Sequence, residues 1–120
     1  MPSLKWVFHK GKRILYADIA SQNDEELLDI VARLKLEIEK EPLGSVLAVC
    51  EVKGGKTSSV INKTLKEFVK YIDPYIKIIA VVGVEGLQKI LYNSVLMFTR
   101  SKKLTIKNSE EGALDWLAEQ

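Results

Sequence analysis

The chain has 120 residues, of which 47% are hydrophobic and 28% are charged. A chain of this length is expected to form one domain, residues 1–120, and to bury roughly two-thirds of its unfolded surface. Eighteen basic and sixteen acidic side chains leave a net charge of +2, which is too balanced for a dedicated nucleic-acid-binding protein. No stretch approaches the ~20 apolar residues of a membrane span, so we expect no integral membrane association.

The start of the sequence and its cysteine content bear on compartment and cofactors. The opening residues MPSLKWVFHKGK lack the apolar core of a secretory signal, so a cytoplasmic localisation is expected. The chain has one cysteine, Cys50, and one histidine, His9. A single cysteine excludes an intrachain disulfide, and a total of one cysteine and one histidine argues against a His/Cys metal site. We therefore expect no metal and no cofactor, with Cys50 packed as a small, poorly reactive apolar residue.

Two short strands are predicted to open the chain as a hairpin. Leu4, Trp6 and Phe8 recur at every second position, which indicates a strand with one packed face. Arg13–Asp18 forms a second strand, and the short polar hinge His9–Lys12 between them favours an antiparallel pair.

The first helix is predicted to begin at Asn23, where acidic residues follow in the first turn. Pro42 and Gly44 are expected to stop it. Its inner face is predicted to consist of Leu27, Leu28, Val31, Leu34 and Ile38.

The stretch from Ser45 to Ile72 reads as a buried strand, a polar loop and an amphipathic helix. The strand Val46–Val52 is mostly apolar, as expected of a strand covered on both faces. The helix that follows ends at Asp73-Pro74. Its buried face is predicted to hold Ile61, Leu65, Phe68 and Ile72, which are spaced by three and four.

The second half continues the alternation of strands and helices. Lys77–Val84 predicts a buried strand, Leu87–Phe98 a helix, and Leu104–Lys107 a short last strand. Asn108 or Ser109 is expected to cap a final helix, whose inner residues would be Ala113, Leu114 and Leu117. The order ββαβαβαβα predicts an α/β fold with a mostly parallel five-stranded sheet, one antiparallel strand and four helices.

The loop before the second helix is the main candidate site, because α/β folds usually bind ligands where a strand leads into a helix. Gly54-Gly55-Lys56-Thr57 is similar to part of the phosphate-binding Walker A loop. Cys50 stands where that motif has its first glycine, and Lys77–Val84 offers no acidic residue to hold magnesium. We therefore favour a flexible turn capped by a hydroxyl residue over a nucleotide site. The candidate binding loop comprises Lys53, Gly54, Gly55, Lys56, Thr57, Ser58 and Ser59.

Weaker signals lie elsewhere in the chain. The turn Gly83-Val84-Glu85-Gly86 fits either a backbone anion nest or, more simply, close packing of strand on helix, and its candidate residues are Gly83, Glu85 and Gly86. His9 stands beside the hairpin turn among lysines, and we expect it to be an exposed surface residue. Lys63, Lys66 and Lys70 form a solvated helix face able to meet an acidic partner.

Four large side chains are candidate anchors of a homodimer: Trp6, Tyr92, Met97 and Trp116. The last three lie off the main apolar stripes of their helices. Such residues either cover the edges of the core or form an exposed apolar patch.

Over almost its whole length the chain resembles the SpoIIAA-like, or STAS, domains, and most closely the stand-alone STAS/SEC14-like branch. The resemblance is carried by FHKGKRILYAD, SVLAVCEV, KIIAVVGVEGLQKIL and EEGALDWL. It implies a SpoIIAA-like fold and a non-enzymatic binding or regulatory module. The SEC14-like kinship implies an alternative, a carrier or sensor of a small apolar or lipid-like ligand.

Anti-sigma-factor antagonists of this family carry an Asp-Ser-Ser-Gly run before the second helix, and a partner kinase phosphorylates the second serine. The corresponding run here is Thr57-Ser58-Ser59-Val60, which by position makes Ser59 the phospho-acceptor. Thr57 replaces the aspartate and Val60 replaces the glycine, a departure that favours a capping role for the serines. No acid/base pair, activated nucleophile or metal cluster stands out in the sequence, so we expect no enzymatic activity.

Overall fold

A computed structural model describes residues 3–20, 23–53, 58–84 and 103–120 of the chain. Among these residues, five strands form one sheet in chain order and three α-helices pack on it. The elements are β1 (Ser3–His9), β2 (Lys12–Asp18), α1 (Asp24–Ile38), β3 (Val46–Glu51), α2 (Ser59–Ile72), β4 (Ile76–Val82), β5 (Leu104–Ile106) and α3 (Glu110–Ala118). The α/β class and the mostly parallel five-stranded sheet are confirmed. The expected helix Leu87–Phe98 lies outside the described residues, so a fourth helix stays a prediction.

The opening hairpin is tighter than the sequence suggested. β1 and β2 pair antiparallel from Ser3 opposite Asp18 to His9 opposite Lys12. The turn is the two residues Lys10 and Gly11, both with positive φ (50° and 81°). Two positive φ angles match the right-handed twist of a hairpin. His9 and Lys12 are therefore paired strand ends, and the polar hinge predicted over His9–Lys12 shrinks to its two central residues.

The described helices lie on both faces of the sheet, and the strand order explains why α1 and α2 share one of them. β2, β3, β4 and β5 are parallel neighbours, so the chain crosses over repeatedly in one direction. Right-handed crossovers that all progress one way keep their helices on one face, and α1 and α2 share a core cluster there. α3 follows the last strand and packs on the opposite face through Ala113 and Leu117.

The central strands are buried on both faces, as predicted. Six apolar residues from the two predicted buried strands are all at most 6% exposed: Val46, Leu47, Val49, Ile79, Val81 and Val82. Alternate residues of β3 face different clusters: Ala48 packs toward α1 and α2, whereas Leu47 and Val49 pack toward α3. The predicted inner face of α2 is confirmed, and Val69 joins it.

Two expected core residues are exposed instead. Phe8 is 78% exposed, because the core cluster covers Leu4 and Trp6 on the same face of β1 but stops short of the hairpin end. Leu28 is 52% exposed, and Ile30 takes an inner position in its place. Both residues fit the apolar spacing of their element, but no described neighbouring element packs over their side chains. α1 also ends at Ile38, before either predicted stop residue.

The hairpin turn is held to α3 by charged groups. Asp115 Oδ1 lies 2.6 Å from His9 Nε2 and 3.1 Å from Lys10 Nζ. The His9 side chain is 27% exposed, so the expected surface histidine is instead half-buried against an acid from the last helix. These two contacts hold the pKa of the Asp115 carboxyl below its usual value.

We expect Asp115→Asn to reduce stability at neutral pH and to have little effect in acid. A carboxyl whose pKa is depressed by folding contributes stability above its unfolded pKa, near 3.8, and loses it as pH falls through the folded pKa. Urea unfolding of both proteins at pH 7 and at successively lower pH below 4 measures this. A difference between the two midpoints that persists unchanged to the lowest pH would contradict the assignment.

Candidate functional site at the start of the second helix

The loop that leaves β3 and enters α2 lies at the carboxyl end of the sheet. Asp18 and Glu51 end neighbouring parallel strands and stand opposite each other in register. Lys53, Ser58 and Ser59 are the members of the predicted binding loop that the structure describes. The other four members, Gly54, Gly55, Lys56 and Thr57, lie outside the described residues.

The carboxylates at this edge bind the protein's own backbone. Asp18 Oδ1 accepts a hydrogen bond from the amide of Ala20 at 3.0 Å, and Glu51 Oε1 accepts one from the amide of Lys53 at 2.8 Å. The described residues contain no group of three acidic, histidine or cysteine side chains suited to a metal ion. These two carboxylates therefore act locally, by stabilising the turns that follow β2 and β3.

Tyr16 lies beside these acids and is affected by them. Burial raises the pKa of the Tyr16 hydroxyl to about 12, with the negative charges of Glu110, Glu51 and Asp18 adding to the effect. Its hydroxyl lies 3.5 Å from Glu110 Oε2. A phenol held this firmly in its protonated form is a hydrogen-bond donor at neutral pH and a poor general base.

The turn after β4 requires a glycine. Gly83 has φ of +82° and approaches the β3 loop closely. A Cβ at this position would collide with the Glu51 carboxylate and lie 2.7 Å from the Lys53 backbone nitrogen. Close packing thus accounts for Gly83, whereas Glu85 and Gly86 of the predicted turn lie outside the described residues.

Ser58 is the residue that caps α2. Its hydroxyl oxygen accepts a hydrogen bond from the Ile61 amide at 3.0 Å, and the hydroxyl donates to Asp24 Oδ1 at 3.1 Å. This resolves the choice among Thr57, Ser58 and Ser59 that the sequence left open. The second bond also joins the first turn of α2 to the first turn of α1.

Ser59, the first residue of α2, is exposed and borders a shallow open pocket of about 300 Å³. The described residues that line this pocket are Ser59, Asn62, Lys63, Lys66 and Glu67. The Asn62 Oδ1 atom is buried yet has no hydrogen-bond partner among the described residues. An unsatisfied buried acceptor is costly, but this atom is shielded from solvent. The polar groups that the pocket presents are therefore chiefly its charged side chains, Lys63, Lys66 and Glu67.

Sequence reasoning missed Asn62, although a signal was present. Asn62 directly follows Ile61 of the buried stripe, and its polar side chain interrupts the boundary between the apolar and charged faces of α2. The lysine face was identified: Lys63 and Lys70 are exposed, and Lys66 is half-buried. Of these three lysines, Lys63 and Lys66 line the pocket, and Lys70 lies outside it.

A second, smaller and partly open space lies under α2 on the core side. It is an apolar cavity of about 30 Å³, large enough for about one or two water molecules. Its described lining is Ile19, Cys50, Leu65, Phe68, Val69, Ile79, Val81 and Leu104. Cys50 is buried, which confirms the expected packing. Burial raises the pKa of its thiol to about 12, and the low reactivity that follows from this stays a prediction.

The tryptophans proposed as dimer anchors are both half-buried and covered by cations. The Arg13 guanidinium lies 3.6 Å from the centre of the Trp6 ring, and Lys107 Nζ lies 4.0 Å from the Trp116 ring. Trp116 packs at the edge of the α3 core cluster. The other two proposed anchors, Tyr92 and Met97, lie outside the described residues.

Comparisons with protein-family models, with curated proteins and with solved structures gave no match to this chain. Across the four described ranges, no helix has both the length and the apolar composition that crossing a membrane requires.

The two adjacent serines allow a matched test of the cap. We expect Ser58→Ala to lower the free energy of unfolding by about 1 kcal/mol, within a range of roughly 0.5–2 kcal/mol, because the Ile61 amide loses its acceptor. Ser59→Ala should cost less, since Ser58 provides the capping bond. Denaturant unfolding of both variants measures the difference, and equal losses would contradict the assignment of the cap.

Proposed function

We propose that this protein is a non-enzymatic binding and regulatory module that recognises a partner protein through the loop before α2 and the first two turns of that helix. The observation that carries the proposal is the open pocket beside Ser59, which Lys63 and Lys66 line. A partner that places a carboxylate near the exposed Lys63 would gain a charge-assisted hydrogen bond there.

The chemistry of the site favours binding over catalysis. The described carboxylates at the carboxyl edge of the sheet are engaged with backbone amides, and the cysteine thiol is buried and protonated. An exposed apolar side chain, Val60, lies in the same first turn of α2 at 45% exposure. A shallow, mixed apolar and basic surface of this kind suits a protein partner with an acidic patch.

The resemblance to SpoIIAA-like domains adds a proposed switch. Ser58 is engaged in capping, whereas Ser59 is exposed at the pocket rim, so a kinase would reach Ser59 more readily. A phosphate on Ser59 would sit at the positive end of α2 and beside the lysines, where the fold tolerates negative charge. Its effect would fall on partner recognition, because it would compete with an acidic partner for the same lysines.

The alternative function is a carrier or sensor of a small apolar or lipid-like ligand. The observation that favours it is the cavity beneath α2, where every described lining residue is apolar. That cavity, at about 30 Å³, is some tenfold smaller than the ~300 Å³ at which small-molecule pockets begin. A ligand would therefore need α2 to move away from the sheet, and we rank this function second.

Site-specific photo-crosslinking tests the proposed surface. A photoreactive amino acid replaces the exposed Val60, which lies next to Ser59 in the first turn of α2. In a control protein it replaces Leu43, which is 73% exposed in the loop before β3. In extract of the native source we expect Val60 to yield a defined crosslinked protein that Leu43 does not yield. Lys63→Glu should abolish this crosslink, whereas Lys70→Glu, on the same helix but outside the pocket, should preserve it.

The outcome that would contradict the proposal is equally specific. Identical crosslinks from both positions, or a position-60 crosslink insensitive to Lys63→Glu, would show that the pocket does not direct recognition. Phosphorylation of Ser59 that leaves the crosslink unchanged would remove the switch while keeping the binding surface.

The Walker-like loop gives a further prediction. We expect magnesium–ATP and magnesium–GTP to bind weakly or not at all, because Cys50 replaces the first motif glycine and β4 offers no acid for magnesium. Isothermal titration measures this directly. Micromolar affinity that Lys56→Ala abolishes would contradict the proposed function and establish a nucleotide site.

A further inference from the structure

β1 is an edge strand of the sheet. One of its sides pairs with β2, and no described strand pairs with its other side. It is seven residues long and pairs with β2 in an unbroken register. The opposite edge, β5, has three residues. Native sheets usually protect a long edge with a proline, a bulge or charged side chains, and β1 has neither of the first two.

The hairpin geometry determines which backbone groups point away from the sheet. A two-residue turn makes His9 and Lys12 a hydrogen-bonded pair, and hydrogen-bonded pairs alternate along an antiparallel ladder. The outward amides and carbonyls of β1 therefore belong to Leu4, Trp6 and Phe8. These are the same residues whose side chains share the α1 face, so the edge combines an apolar stripe with backbone groups that no other described strand pairs.

Phe8 is the residue that the fold itself leaves uncovered. It is 78% exposed, whereas Leu4 and Trp6 pack partly against the core. The charge on β1, Lys5, lies on the other face, 5.6 Å from the centre of the Tyr16 ring. No charged side chain on β1 shares the face of Phe8 and its two apolar neighbours.

We propose that β1 pairs antiparallel with β1 of a second copy of this chain, centred on Trp6, to form a continuous sheet across a two-fold axis. The spacing makes the edge self-complementary: Trp6 meets Trp6 of the other copy, and Phe8 meets Leu4. Each pair exchanges two backbone hydrogen bonds, and Phe8 gains an apolar cover at both ends of the interface. Lys5 stands opposite Val7, so no like charges lie directly opposite each other.

Disulfide trapping tests this register. Paired residues of this kind have Cα atoms about 5.5 Å apart, within the range that a disulfide spans. Leu4→Cys mixed with Phe8→Cys should form a disulfide-linked heterodimer under mild oxidation, and neither variant alone should form a homodimer. The unmodified chain is the control, because its own Cys50 is buried. Homodimers of either variant, or no heterodimer, would overturn the register.

Sedimentation at micromolar and higher concentrations tests the interface. The wild-type chain should show a dimer, Phe8→Lys should lose it, and Leu43→Lys should retain it as a matched exposed control. Circular dichroism checks that both variants are folded. A monomer at every concentration, or a dimer indifferent to Phe8→Lys, would overturn the proposal. Neither result bears on the α2 surface, whose crosslinking readout is independent of dimer formation.

Discussion

Leu47→Ala should lower the free energy of unfolding by roughly 2–5 kcal/mol. Leu47 is 6% exposed in β3, the middle strand of the sheet, and packs in the cluster that joins the sheet to α3. Truncating it leaves a cavity between β3 and α3 that a regular sheet cannot close, so the lost burial is not recovered. Denaturant unfolding monitored by tryptophan fluorescence measures the change, and Trp116 lies in the same cluster.

The matched control for this substitution is Leu36→Ala. Leu36 is 57% exposed on α1, and alanine is a strong helix former, so the change should stay within about 0.5 kcal/mol. Two results would show that β3 is not the buried centre of the sheet: a denaturant midpoint for Leu47→Ala equal to that of the wild type, or equal losses of unfolding free energy for Leu47→Ala and Leu36→Ala.

Gly83→Ala should lower the free energy of unfolding by at least about 2 kcal/mol, because two costs combine. An alanine with φ of +82° carries roughly 1–2 kcal/mol of backbone strain. Its methyl group would also collide with the Glu51 carboxylate and the Lys53 backbone, and such overpacking typically costs about 1–3 kcal/mol. The Lys53 contact is with backbone, so the obstacle cannot be relieved by rotating a side chain.

Gly44→Ala separates these two costs. Gly44 has a similar φ of +69°, but a Cβ there would meet nothing within 4 Å. It should therefore carry the strain alone, and the excess loss at Gly83 measures the collision. Because the displaced groups lead into the loop before α2, Gly83→Ala should also weaken the position-60 crosslink. Equal stability losses at the two glycines would contradict the close approach of β4 to the β3 loop.

The sequence was sufficient for the central elements because their patterns are long and unambiguous. β3 and β4 are nearly continuous apolar runs, and both are buried on two faces. α2 has a stripe spaced by three and four, and every predicted member of it is buried. Burial on this scale decides the fold largely independently of the rest of the chain.

The sequence was insufficient where neighbouring elements end. Phe8 continues the alternation of β1, and nothing in the sequence says that the cover stops at Trp6. On α1, the choice between Leu28 and Ile30 depends on how the helix rotates against the sheet, which tertiary packing decides. The contact of Asp115 with His9 joins residues 106 positions apart, beyond the reach of any local pattern.

The location of the candidate site stays a prediction, made from a polar loop between a buried strand and an amphipathic helix. The structure adds details there that the sequence did not supply. Three hydroxyl residues in a row, Thr57, Ser58 and Ser59, are all able to cap a helix, and the backbone conformation at Ser58 selects among them. The pocket beside Ser59 depends on how the side chains of the first two turns of α2 are arranged, and the spacing of residues in the sequence does not specify that arrangement.

Native mass spectrometry of the purified protein tests most directly whether it recognises a partner protein rather than carrying a small ligand. We predict masses equal to the chain and to its dimer, with no adduct released on activation, and a complex with the protein identified by crosslinking from position 60. That complex should be lost with Lys63→Glu and retained with Lys70→Glu. A retained apolar small molecule, in a protein that binds no macromolecular partner, would contradict the account and establish the carrier function instead.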